Sequence, residues 1–217
     1  MLVRKILDHF DAYTKLHIDV TDVRDQLVDS GVVDTIIFHF VKMDSAKIRG
    51  ILHRYEMQPA PYGDFIPCAD IIISDEMEDD WQRLVAVKEL LHLADNGNFS
   101  ASTQNAVDVI FHNFSIPPEL RHDARNGEVV TKSFQNDKLC ILLALAILIP
   151  CECREILRDL YARNKLSARE IAGIARIPAR YVDTVMASDF DSKINLLLDW
   201  DEIHADADAT NGLAGQS

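Results

Sequence analysis

Residues 65–95 read FIPCADIIISDEMEDDWQRLVAVKELLHLAD, and the hydrophobic period changes inside that stretch. Phe65 to Ile73 is apolar and β-branched, ends in the run Ile71-Ile72-Ile73, and reads as a strand. From Trp81 onward Leu84, Val85, Leu91 and their neighbours fall at helical spacing to about Asp95. Ser74 or Asp75 is placed to N-cap that helix, and the acidic cluster from Asp75 to Asp80 complements the positive end of its dipole. Asn96-Gly97-Asn98 stops it. A strand that runs through an acidic connector into a helix makes the fold class α+β.

Upstream, Ile36 to Val41 and Arg49 to Tyr55 read as two further strands, and Pro59, Pro61 and Gly63 mark the loop before the third. The expected sheet therefore has about three strands. Val3, Ile6, Leu7 and Phe10, then Val20, Val23 and Leu27, recur at helical spacing in residues 1–30, and Ser30-Gly31 ends that segment. Downstream the pattern is helical throughout. Helices are expected at Ser102 to Phe114, closed by Pro117-Pro118, and at Val130 to Ile149, stopped by Pro150. Two shorter ones follow at Ser167 to Ala175 and Ala179 to Met186. The chain thus divides into a helical segment (1–30), a mostly helical α+β domain (31–190) and a tail (199–217). That tail is acidic, then small and polar, and is expected to be disordered.

Composition narrows the class. Among 217 residues, 22 are Lys or Arg and 35 are Asp or Glu, for a net charge of −13. That balance argues against a long nucleic-acid footprint. The hydrophobic share of 48% supplies a real core, which excludes wholesale disorder. The longest uncharged run, Leu139 to Cys151, contains a proline and is too short for a spanning helix of about 20 residues. The opening MLVRKILDHFDAY mixes charges into its apolar positions and has no signal-peptide core. Cys68 and Cys140 read as small buried hydrophobes, and the pair Cys151 and Cys153 lacks a second pair at zinc-ribbon spacing. A reduced, cytoplasmic protein is expected.

The string Lys88-Glu89-Leu90-Leu91-His92 carries the chemistry. In a zinc peptidase helix, H-E-x-x-H sets two histidines on one face, with the glutamate as general base. Glu89 and His92 stand in that frame, and Lys88 occupies the place of the first histidine. The plainer reading is a solvated Lys-Glu pair beside a half-buried histidine. A second constellation pairs His92 with Asp95 and Asp108 with His112, each pair on one helix face. Helix-surface polar pairs are the plainer reading there too. His9, His17, His39, His53, His122 and His204 have no partner spacing. Residues 167–186 fit a helix-turn-helix, with Ala172 at the small packing position, Val182 in the second helix and Arg176 where a glycine is usual. Packing through Ile171, Ile174 and Val182 against the long apolar helix is expected, with no tight binding to duplex DNA.

The order of these motifs resembles the ImmA/IrrE family of zinc metallopeptidase-like proteins, across roughly residues 65–187. A strand feeds the K-E-L-L-H helix. A later helix closes with Leu145-Ala146-Ile147-Leu148-Ile149-Pro150, and Leu166-Ser167-Ala168-Arg169-Glu170-Ile171-Ala172 opens the helical pair. The resemblance implies a zincin-like fold in which Glu89 is the base, His92 a metal ligand, and Asp137 stands near the third ligand. Lys88 departs from that pattern, because an ammonium has no lone pair to give a metal. The expectation is a metallopeptidase-like protein with a degenerate site, acting as an inactive regulatory or interaction module on a protein partner. In it, Lys88 supplies the missing positive charge to a carboxylate such as Asp137. No cofactor is expected in that case. The alternative is an active zinc endopeptidase that cleaves a protein such as a repressor.

Overall fold

The β-branched run ending at Ile73 becomes the middle strand of the sheet. The computed structural model describes residues 2–46, 48–94, 140–195 and 198. Within them β1 is Thr35–Val41, β2 is Gly50–Met57 and β3 is Ile66–Ser74. The order across the sheet is β1-β3-β2. β1 runs parallel to β3 with Phe38 opposite Ile71, and β2 runs antiparallel with Leu52 opposite Ile71. Ala69, Ile71 and Ile73 are buried while Asp70 and Ile72 between them are half-buried. That alternation gives the sheet one face against helices and one open face. The architecture is the expected one, α+β and mostly helical with a small sheet.

The helix α3, Asp79–Ala94, lies over β3 and β2. It is buried on every side from Arg83 to Leu91, which makes it the central element of the fold. Leu84, Val85 and Leu91 are in the core as expected. Ser74 and Asp75, expected to cap α3, do not, because the helix starts at Asp79. Ser74 ends β3, donates its hydroxyl to the Met43 carbonyl at 2.7 Å and accepts the Glu76 N–H at 3.3 Å. A serine hydroxyl that closes a turn in this way competes with capping. Asp79 and Asp80 fill the first turn, where the helix dipole favours them.

The helices α1, Leu2–Asp11, and α2, Val20–Asp29, pack on α3 and on each other. Val3, Ile6, Leu7, Phe10, Val23 and Leu27 join the same core as α3. Residues 140–148 form α4, apolar on almost every side. Directly after Pro150 comes α5, Cys151–Ala162, a helix not expected from the sequence. Pro150 reads as a stop, but it sits at the N-cap of α5, where a missing N–H is no loss. Arg154 of α5 is buried and donates to the carbonyls of Ala146 (2.9 Å) and Ile149, satisfying the open end of α4. Asp191 is its counter-ion.

The helical pair follows. Ser167 caps α6, Ala168–Ala175, in a capping box with Glu170. Arg176 takes the left-handed turn itself, at φ 52°. A short 3-10 turn, Ala179–Tyr181, leads into α7, Val182–Met186, which packs on α5. Ile171 and Val182 are buried as expected. Ile174, expected in the same contact, is 43% exposed, and Ala175 takes the inward position. The expected features at Asn96–Asn98, Ser102–Phe114, 130–139 and 199–217 lie outside the described residues. No helix among the described residues is long and apolar enough to cross a membrane.

Candidate functional site around Lys88, Glu89 and His92

The site forms where α3 passes under the start of β2 and beside the first described turn of α4. Lys88 is 7% exposed and Glu89 4% exposed, so this is not a solvated pair. The Lys88 Nζ lies 2.9 Å from Glu89 Oε1. Neighbouring helix residues point about 100° apart, so the long lysine stem must fold back across the helix to bring the two charges together. The contact is close in distance but not well directed, since Glu89 Oε1 receives no hydrogen bond of good geometry among the described residues. Two charges removed from water gain little from each other in that arrangement.

Gly50 shapes the space above Glu89. A Cβ at that position would stand 2.4 Å from Val85 Cγ1 and 2.9 Å from Glu89 Oε1. Only a glycine lets the β2 backbone come this close to α3. The β2 main chain therefore covers the carboxylate and excludes water from it.

His92 lies one turn on from Lys88 and is half-buried. Its Nδ1 is 3.7 Å from Cys140 Sγ, at the start of α4 as described. Cys140 is buried as expected, and its thiol stands at the imidazole. Asp137 lies outside the described residues, as do Asp95, Asp108 and His112, so the structure brings Lys88, Glu89, His92 and Cys140 to one region. Zinc takes four donors in a tetrahedron. No three His, Cys, Asp or Glu side chains among the described residues converge tightly enough to hold a metal. The Lys88 ammonium also lies against the carboxylate that would activate water. The described residues do not fit a zinc site.

Two further side-chain clusters lie outside this region. Trp81 in the first turns of α3 has the Arg49 guanidinium 4.1 Å from its ring centre and that of Arg180 at 5.0 Å, with Tyr181 edge-on. Arg176 contacts Asp79 at 3.7 Å and His17 at 3.2 Å. Two arginines of the helix-turn-helix-like pair are thus engaged with the molecule's own side chains. On the open sheet face, His39 pairs with Asp70 at 3.1 Å, and the Tyr55 hydroxyl donates to Asp70 at 3.5 Å. The sequence gives His39 no such partner, because the pairing depends on which strands become neighbours.

Gly50 and Cys140 are the two residues of the region that sequence reasoning missed. A glycine within a strand pattern is a sign of close backbone approach. Cys140 carries no such sign, since its relation to His92 is purely tertiary. No family model matches this chain, and a search of curated proteins finds no match.

Proposed function

We propose that this chain is a zincin-like, metallopeptidase-related protein whose metal position is taken by Lys88, and that it acts as a catalytically inactive regulatory or interaction module on a protein partner. One observation carries the reading: the buried Lys88 ammonium lies 2.9 Å from the Glu89 carboxylate. In an H-E-x-x-H frame this lysine replaces a neutral imidazole donor, and its charge stands where a divalent cation would need to approach. It also engages the carboxylate that a peptidase keeps for water. Both changes remove metal-assisted hydrolysis, while the helix that carries the frame remains the centre of the core.

The half-buried His92 beside Cys140 favours a second reading, an active zinc endopeptidase that cleaves a protein substrate. An imidazole and a thiol are both zinc donors, and a third ligand in that case comes from Asp137 or its neighbours.

Elemental analysis of the purified chain separates the two. The inactive module contains no stoichiometric zinc and shows no chelator-sensitive peptidase activity. The variant Lys88→His restores an H-E-L-L-H string and is expected to take up zinc, with His92 and Cys140 as further donors. About one zinc per wild-type chain, lost in His92→Ala together with a peptidase activity, overturns the inactive reading.

A further inference from the structure

The strand β1 reads Thr35-Ile36-Ile37-Phe38-His39-Phe40-Val41, with no acidic residue, lysine, arginine, proline or glycine. It is an edge strand whose one ladder among the described residues is with β3, in unbroken register from Thr35 to Val41. Edge strands of soluble proteins are ordinarily protected by charge, proline, a bulge or short length. This strand has none of those devices. Ile37 is 42% exposed and Phe40 56% exposed, and Val33 and Val41 beside them are exposed too. Because α3 lies over β3 and β2, the inward-facing Ile36 and Phe38 of β1 are only half-buried.

We propose that the outer edge of β1 pairs antiparallel with β1 of a second copy of this chain, about a two-fold axis at Phe38. Among the described residues the outer backbone groups of β1 have no strand partner, and such a row calls for another strand. The side chains say which strand. Antiparallel pairing centred on Phe38 sets Phe38 against its own copy, Ile36 against Phe40, Ile37 against His39 and Thr35 against Val41. Each residue meets one from the same face of the sheet, and aromatic residues meet β-branched ones, a favourable cross-strand combination. At both ends Lys42 then stands opposite Asp34, whose buried carboxylate is neutralised by Arg54 through bonds of 3.0 and 2.8 Å, so no like charges meet there.

The charges also select this register. Moving the axis to His39 sets Lys42 opposite Ile36, and moving it to Ile37 sets Phe40 opposite the buried Asp34, so either shift places an apolar side chain against a charged one. Two copies at −13 each repel one another, and an uncharged strand is a contact that limits that repulsion. The contact is isologous, so it closes at two copies and forms one continuous sheet.

Sedimentation velocity on the full chain over a concentration series tests this, with hydrogen exchange of the β1 amides in the same samples. The expected species has twice the 24.5 kDa mass of one chain, and its β1 amides lose protection on dilution. Lys42→Glu, at an exposed position, puts a negative charge at each end of a contact between two acidic chains and should raise the dimer Kd about tenfold or more. Lys165→Glu makes the same charge change on an exposed residue of another surface and should leave Kd unchanged. Phe40→Lys should abolish the dimer while the circular dichroism spectrum stays that of the folded chain. Three results overturn the proposal. The first is a monomer at every concentration with freely exchanging β1 amides. The second is β1 amides protected in a monomer, which assigns the edge to another segment of the same chain. The third is a dimer indifferent to both Lys42→Glu and Phe40→Lys.

Discussion

Lys88 and Glu89 depend on each other. Removing one member of a buried ion pair strands the other charge away from water, at a typical cost of about 3–5 kcal/mol. Lys88→Ala should show a loss of that size in urea unfolding, against about 0.5 kcal/mol or less for an exposed lysine. The double variant Lys88→Met/Glu89→Gln should recover part of it, since neither member of the pair then strands the other. A single-variant loss within the surface range would show that the two charges are not buried together. Gly50 is tied to the same place. Gly50→Ala drives a methyl group into Val85 and should cost about 1–3 kcal/mol, less in a Val85→Ala background where the nearest atom is gone. The frame Glu89 and His92 is legible in the sequence because helical spacing alone puts them one turn apart. The covering glycine and the neighbouring thiol come from other elements, and their distance from Glu89 and His92 along the chain hides them.

The junction of α4 and α5 rests on Arg154 and Asp191. Burial by itself raises the Asp191 carboxyl, but hydrogen bonds and charge from Arg158 and Arg154 outweigh it and hold the group below its ordinary range. A carboxylate depressed in the folded state contributes stability above its unfolded value, near 3.9, and loses it as pH falls through the lower folded value. The gap in unfolding free energy between wild type and Asp191→Asn should therefore be full at pH 7, about 1.5–3 kcal/mol, and close below about pH 4. Asp11, on the other side of Arg154, is raised by burial and responds with the opposite sign, so the difference between the two proteins is the informative quantity. A gap that stays constant down to pH 2 would refute the linkage. The strands were legible because β-branched runs between Gly and Pro signals leave few alternatives. The helix α5 was not, because a proline that ends one helix also starts the next. Ile174 faces outward for a related reason: in an eight-residue helix a small rotation decides whether Ile174 or Ala175 faces inward.

At the scale of the molecule, the first two helices are part of the core rather than an appendage. Ile6 and Phe10 of α1 are fully buried in the same cluster as α3, with Val3 and Leu7 beside them. Each large buried side chain contributes about 1.5–3 kcal/mol, so losing all four approaches the whole stability of an ordinary domain, about 5–15 kcal/mol. A chain lacking residues 2–11 should show no cooperative thermal transition and should bind an apolar dye. Ile6→Ala, a milder change, should cost about 2–5 kcal/mol and remain folded. A truncated chain that melts cooperatively near the wild-type temperature would count against this assignment. The strand order β1-β3-β2 has a further consequence, in the timing of synthesis. The first two strands share no hydrogen bonds, so neither has a partner until Ile66–Ser74 leaves the ribosome and inserts between them. At about 5–20 residues per second the wait lasts on the order of seconds. For that interval the nascent chain carries Thr35–Val41 without its partner strand, an uncharged apolar segment that is open to association until β3 arrives.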